Sequence, residues 1–268
     1  MGYTLAPFFK IFEFLGCNLI CNVDGIEWRR SKWGRAAKSY FRLCEYMVVR
    51  SNATLIYDAY GIEKYYKIIH ARKGKVIFYG TDKHVITKES ERPFLGQDFG
   101  VVVMRMEPEN HILEIVKAQL KSSTKINLKL IGPRTSFFDN FVLPLIENNE
   151  RVEWLGPIYD RQKLYSIRQS AVYYVHGHSV GGTNPTLVEA CELNRPVIAY
   201  NSIFNREVLG DKAVYFNNID ELTIIFDSDF TKFPSPPKLN EMYTWEKVCY
   251  EYVSLLEESI CNHGRGHK

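Results

Sequence analysis

Short, uninterrupted apolar runs alternate along this chain with longer stretches whose apolar residues recur every three or four positions, the periods of buried strands and amphipathic helices. Residues 6–15 have helical spacing, and 18–23 read as a short strand that stops at Asp24-Gly25. Residues 33–50 set Ala36, Ala37, Tyr40, Phe41, Cys44, Met47 and Val48 along a helical stripe. A buried strand at 53–57, a helix at 61–70 and a strand at 75–78 follow, the last running into Tyr79-Gly80-Thr81-Asp82. Residues 83–98 are polar, carry the run Lys88-Glu89-Ser90-Glu91-Arg92-Pro93 and read as a linker.

Beyond residue 98 the alternation is fuller. Strands are expected at 99–104, 126–131, 152–155, 171–175, 196–200 and 214–216, and helices at 111–120, 139–147, 161–169, 186–193 and 219–226. Pro234, Pro236 and Pro237 mark a connector at 232–238, a final helix spans 239–260, and 262–268 read as a disordered tail. Strand–helix alternation of this kind predicts an α/β chain of parallel sheets with helices on their faces. The expected division is a partial Rossmann-like domain at 1–90, a complete one at 99–238, and a helix at 239–262 that packs back on the body. With about three strands, the first domain looks incomplete for a doubly wound sheet.

Composition narrows the function. The 268 residues are 46% hydrophobic, enough for a sizeable core, and the 14% aromatic content reads as core packing. A formal net charge of +3, with no Lys/Arg block, argues against a nucleic-acid partner. Cys17, Cys21, Cys44, Cys191, Cys249 and Cys261 form no CxxC pair, which predicts free thiols in a reducing, cytoplasmic setting. Lys10 and Glu13 interrupt the apolar stretch at 5–20, which is neither a secretory signal nor long enough to span a bilayer. Ala6 stands where a myristoylation motif needs Ser or Thr.

The chemistry gathers in one stretch, His176-Gly177-His178-Ser179-Val180-Gly181-Gly182-Thr183-Asn184-Pro185-Thr186-Leu187-Val188-Glu189-Ala190. It joins a predicted strand to a predicted helix. A glycine-rich turn there offers main-chain N–H groups to phosphate, and Glu189 could accept from sugar hydroxyls. Two local alternatives stay open: Thr186-x-x-Glu189 as a capping box, and Asn184 as cap with Pro185 in the first helical position. Arg105 ends a predicted parallel strand, where open α/β sheets bind ligands, and a guanidinium there can hold a diphosphate or pair with Glu107 or Glu109. Asp24 ends another, as a site residue or as a turn residue before Gly25. His176 and His178 lack a third partner at metal-ligand spacing.

Taken in order, Asn22-Val23-Asp24-Gly25-Ile26-Glu27-Trp28-Arg29-Arg30, Tyr79-Gly80-Thr81-Asp82, Arg105-Met106-Glu107-Pro108-Glu109-Asn110, Gly181-Gly182-Thr183-Asn184-Pro185 with Glu189-Ala190, and Tyr243-Thr244-Trp245-Glu246-Lys247 resemble the family 4 glycosyltransferases of GT-B fold, and within them a bacterial rhamnosyltransferase group. The broader family has a Glu where this chain has Gly181 and a Lys where it has Asn110; the rhamnosyltransferase group resembles this chain at both. The resemblance implies two Rossmann-like domains, a dTDP-rhamnose or other nucleotide-sugar donor such as a UDP-sugar, retention at the anomeric carbon, and a reaction without metal or cofactor. It assigns Asp24 and Arg105 to catalysis, and Arg105, Asn110, His178, Gly181, Gly182, Thr183, Asn184 and Glu189 to the donor. Glu27, Arg29 and Arg30 fall on the side of a glycan or lipid-linked acceptor, with a solvated basic face as the open alternative for the two arginines. It also implies peripheral work at the inner face of the membrane. Family members begin with strands that have no counterpart here. The alternative is therefore a non-catalytic donor-binding fragment, or one subunit of a split enzyme completed by a partner chain that supplies those strands.

Overall fold

A computed structural model describes residues 2–81 and 98–265. Almost all of the expected linker and the end of the tail, residues 266–268, lie outside the described residues. The elements run α1 (Phe9–Phe14), β1 (Ile20–Asn22), α2 (Arg35–Val49), β2 (Thr54–Tyr57), α3 (Tyr60–His70), β3 (Lys75–Val76), β4 (Phe99–Val103), α4 (Ile112–Lys121), β5 (Asn127–Ile131), α5 (Leu143–Ile146), β6 (Val152–Gly156), α6 (Arg161–Ser170), β7 (Tyr173–His176), α7 (Pro185–Cys191), β8 (Val197–Tyr200), α8 (Ile203–Leu209), β9 (Val214–Phe216), α9 (Ile219–Phe226) and α10 (Trp245–Arg265).

The chain divides into two compact units. The first holds residues 2–81, Val180–Pro185 and 240–265; the second holds 98–179 and 186–239. In the second, six parallel strands lie in the order β6-β5-β4-β7-β8-β9. Burial follows that order. β4 and β7, at the centre, are buried at every position, while the edge strands β6 and β9 are not. A central parallel strand is covered on both faces and so reads as a continuous apolar run. Val102, Leu128, Leu130, Val175 and Ile198 from the sheet pack with Ile112, Ile115, Phe138, Leu222 and Phe226 from the helices into one core.

In the first unit, three parallel strands lie in the order β1-β2-β3. Val248 and Leu255 of α10 pack on Ile56 and Ile77. Asn22 Nδ2 donates to Tyr252 Oη at 3.1 Å, and Lys75 pairs with Glu251 at 3.0 Å, so the last helix covers this sheet. The α/β class with parallel sheets is as expected.

Several boundaries differ from expectation, for local reasons. The final helix starts at Trp245 rather than 239, because Asn240 caps a separate 3-10 turn at Glu241–Tyr243 and Thr244 caps the helix proper. It continues to Arg265, into the stretch expected to be a tail. Residues 139–147 split into a π-turn at Phe138–Val142 and the short α5, since Pro144 has no N–H to give to the helical ladder. α8, capped by Ser202 accepting from Asn205 N, was not expected at all.

Candidate functional site

In the second unit the chain moves outward from β4 to β5 and β6, then returns to lay β7 on the other side of β4. The β4–β7 junction is therefore the point where winding reverses, and open α/β sheets bind ligands outside the carboxyl ends of their strands at such a point. Asn110 leaves β4 there and His178 leaves β7. Asn110 Nδ2 donates to Arg105 O at 2.7 Å, so its Oδ1 accepts, at 2.7 Å, from His178 Nδ1. That fixes the imidazole tautomer. Gly177 lies so close to Asn110 O that a side chain would strike the backbone carbonyl. Ser179 N and Oγ both donate to Glu109 O, at 3.1 and 2.9 Å. Asn205 Nδ2 donates to His178 O and Tyr200 O, tying in the end of β8. The His111 ring stacks on Tyr200 with centroids 3.9 Å apart. Arg105 is exposed at this edge.

Beneath the edge lies a buried polar layer. Tyr174 Oη sits 3.4 Å from His176 Nδ1 and 3.3 Å from Thr186 Oγ1. His176 is 1% exposed, and its Nε2 has no hydrogen-bond partner. Burial first, then His178 and Arg168 beside it, hold its pKa well below the ordinary 6.5. Glu189 has a partner inside its own unit: Arg168 Nη1 donates to Glu189 Oε2 at 2.7 Å. α7 begins at Pro185, the register with proline first and Asn184 before it.

The carboxyl edge of the first unit's sheet is acidic instead. Asp24 holds a left-handed backbone, φ 55°, uncommon for a residue other than glycine, and its N–H donates to Asn22 Oδ1 at 2.8 Å. Tyr79 Oη donates to Asp24 Oδ1 at 3.1 Å, and burial together with Asp24 and Asp58 pushes the phenol pKa up. The loop Val180–Pro185 belongs to this unit. Gly181 has its Cα against Gly25, and Gly182 lies against the buried Asp58 carboxylate, leaving no room for a Cβ. Thr183 Oγ1 donates to Asp58 O at 2.6 Å. Glu27 accepts from Trp33 Nε1 at 3.1 Å and pairs with Arg30 at 2.8 Å, although that N–H is not aimed along a hydrogen bond. Arg29 lies over the Trp28 and Tyr65 rings.

The fold thus joins Asn110 to His178, and the loop 181–183 to the ends of β1 and β2. Asn110 uses both amide atoms on protein partners, and Glu27 and Arg30 answer each other. Sequence reasoning missed Asp58, Arg168 and Glu45. Glu45 is buried on α2 and accepts from Trp28 Nε1 and Tyr65 Oη, beside His70 Nε2. For Asp58 a signal existed, a carboxylate directly after a buried strand; for the other two none did. Among the described residues no three His, Cys, Asp or Glu side chains gather to hold a metal. A surface hollow lined by Asp98, Thr124, Asp227 and Thr231 lies at the other edge of the second sheet, where strands begin. No helix among the described residues is long and apolar enough to cross a membrane.

A family profile described as a domain of unknown function, DUF1972, matches residues 1–82. No curated protein matches the chain. Among solved structures, Anabaena HepE in complex with UDP-glucose is 15% identical with a TM-score of 0.76, over 95% of this chain and 76% of HepE. Sucrose-phosphate synthase of Thermosynechococcus elongatus is 14% identical with a TM-score of 0.75, over 97% of this chain and 73% of that one. The pneumococcal O-GlcNAc transferase GtfA in complex with UDP and GlcNAc is 12% identical with a TM-score of 0.67, over 94% of this chain and 54% of GtfA. The chain shares the Rossmann-like GT-B fold of these proteins.

Proposed function

We propose that this chain moves a hexosyl group from a nucleoside diphosphate sugar to a hydroxyl of a glycan or lipid-linked acceptor. One observation carries the reading: the bond between Asn110 and His178 closes the carboxyl edge where winding reverses, and the same Asn110 holds the backbone of the exposed Arg105. Likeness in fold to HepE with UDP-glucose adds support. In the reaction the bond from the anomeric carbon to the diphosphate oxygen breaks, the acceptor oxygen bonds to that carbon, and the acceptor hydroxyl gives up its proton. The nucleoside diphosphate leaves with the electron pair. Arg105 would offset its growing charge; Gly181, Gly182 and Thr183, expected to do so as well, are buried in the first unit against Gly25 and Asp58. His178, with Nδ1 donating, would accept a sugar hydroxyl at Nε2. Glu189 would take the ribose, and Asp24, oriented by Tyr79, the acceptor hydroxyl. Arg29 and the Glu27–Arg30 pair would meet the rest of the acceptor.

The finer reading is a rhamnosyl group from dTDP-rhamnose, transferred with retention at an anionic membrane surface. The charge excess supports the last point: residues 2–50 hold 8 Lys/Arg and 4 Asp/Glu, a net +4 against +3 for the whole chain. In the same segment α1 exposes Ile11 and Phe14, flanked by Phe8 and Leu15. That apolar surface equally favours the second reading, a donor-binding subunit completed by another polypeptide. Calorimetry with dTDP, dTDP-rhamnose, UDP and UDP-glucose tests the donor site. Binding of at least one is expected, and failure of all four with the fold intact overturns it. Sedimentation with phosphatidylglycerol vesicles, against phosphatidylcholine vesicles, separates the membrane reading from the subunit reading.

A further inference from the structure

Arg168 on α6 belongs to no motif, yet it is 4% exposed and carries a charge that is costly to bury. Its contacts converge on the first turns of α7. Nη1 donates to Glu189 Oε2 at 2.7 Å, Nη2 donates to Thr186 O at 2.7 Å, and the guanidinium lies over the Tyr174 ring at 5.3 Å. Nε has no partner. Glu189 itself is 35% exposed on its side chain, so one carboxylate oxygen is held from below while the carboxylate still reaches solvent. An apolar side chain of similar length would fill the space at Arg168 with less desolvation cost, so packing alone does not account for a guanidinium here.

We propose that Arg168 is a positioning residue for nucleotide recognition: it locks Glu189 in one rotamer and cancels its charge. The inference rests on the donor-site reading above. A carboxylate near a diphosphate repels it. Paired with a buried guanidinium, the same carboxylate can accept ribose hydroxyls without opposing the phosphates. Arg168 touches no ligand in this scheme; it acts through Glu189.

The test is calorimetry of the whole 268-residue chain with UDP and with 2′,3′-dideoxy-UDP, which lacks the ribose hydroxyls. Wild type should prefer UDP by about tenfold, the size of one charge-assisted hydrogen bond. Arg168→Met should weaken UDP binding and erase that preference. Arg168→Met/Glu189→Gln should bind UDP more tightly than Arg168→Met alone, because the uncompensated carboxylate is gone; a purely structural role would leave the two variants alike. If Arg168→Met fails to fold, Arg168→Lys takes its place: it keeps the charge but not the two-armed grip on Glu189 and Thr186, and should lose part of the preference for UDP, whereas an unchanged preference overturns the inference. Arg168→Met with an unchanged preference overturns the inference while leaving the donor site standing. Wild type that binds neither nucleotide overturns the donor-site reading, and this inference with it.

Discussion

The two sheets present opposite chemistry at equivalent edges. In the second unit the loops leaving β4, β7 and β8 are sewn together by amides and carbonyls, with an imidazole and an exposed guanidinium among them. In the first unit the loop leaving β1 presents Asp24, to which Tyr79 donates, while Asp58 after β2 is buried beneath Gly182. Donors and positive charge suit a diphosphate; acceptors suit hydroxyl groups. The cores differ as well. The second sheet is covered on both faces around β4 and β7, whereas the first unit leaves Phe14 90% exposed. The comparison teaches that one parallel-strand plan supplies an edge cross-linked by side-chain amides when its core is large, and an acidic edge beside apolar surface when it is small.

The sharpest way to break this contrast is to cut each unit's apolar surface. Leu130→Ala in the second core should lower stability by about 2–5 kcal/mol, whereas Phe14→Ser should change it by no more than about 0.5 kcal/mol. Urea denaturation reads both, and equal losses would mean that Phe14 is covered in solution. The edges separate in function next. Arg105→Ala should weaken nucleoside diphosphate binding by about 2–3 kcal/mol, while Asp24→Asn should leave that affinity alone and depress turnover. Calorimetry with donor assays checks the pair, and the reverse pattern would exchange the roles of the two units.

Gly177→Ala tests the closed edge of the second unit. Its Cβ would meet the Asn110 carbonyl and lie 2.9 Å from Ile115 Cδ1, so a loss of about 1–3 kcal/mol in thermal unfolding is expected. An unaffected variant would show that the edge yields easily. The smallest effect comes from pH. His176 stays neutral in the fold but protonates when unfolded, so its support is complete above about pH 6.5 and declines below it. Stability should fall on acidification by at most about 1.4 kcal/mol per pH unit from this group, and His176→Gln should flatten that slope. Superimposable pH curves would exclude His176 as the cause.

Much of this was readable along the chain. The all-apolar run that became β4, the run of β7 and the proline-led α7 follow from local pattern, because burial on both faces and a missing N–H act on neighbouring residues. The short α8 was missed although Ser202 caps it, since seven residues hold too little periodicity to register. Glu45 and Arg168 were invisible: a buried charge is recognised only by the partners that surround it, and theirs come from other elements.

By itself, then, the sequence determined the α/β class, the order of strands and helices, and the loops that carry charge and glycine, for those depend on short-range periodicity and backbone freedom. Tertiary structure alone decided that Val180–Pro185 belongs with the first unit, that Gly182 rests on Asp58, and that Arg168 answers Glu189. Such pairings join residues far apart in the chain, and only the packing of whole elements brings them within hydrogen-bonding reach.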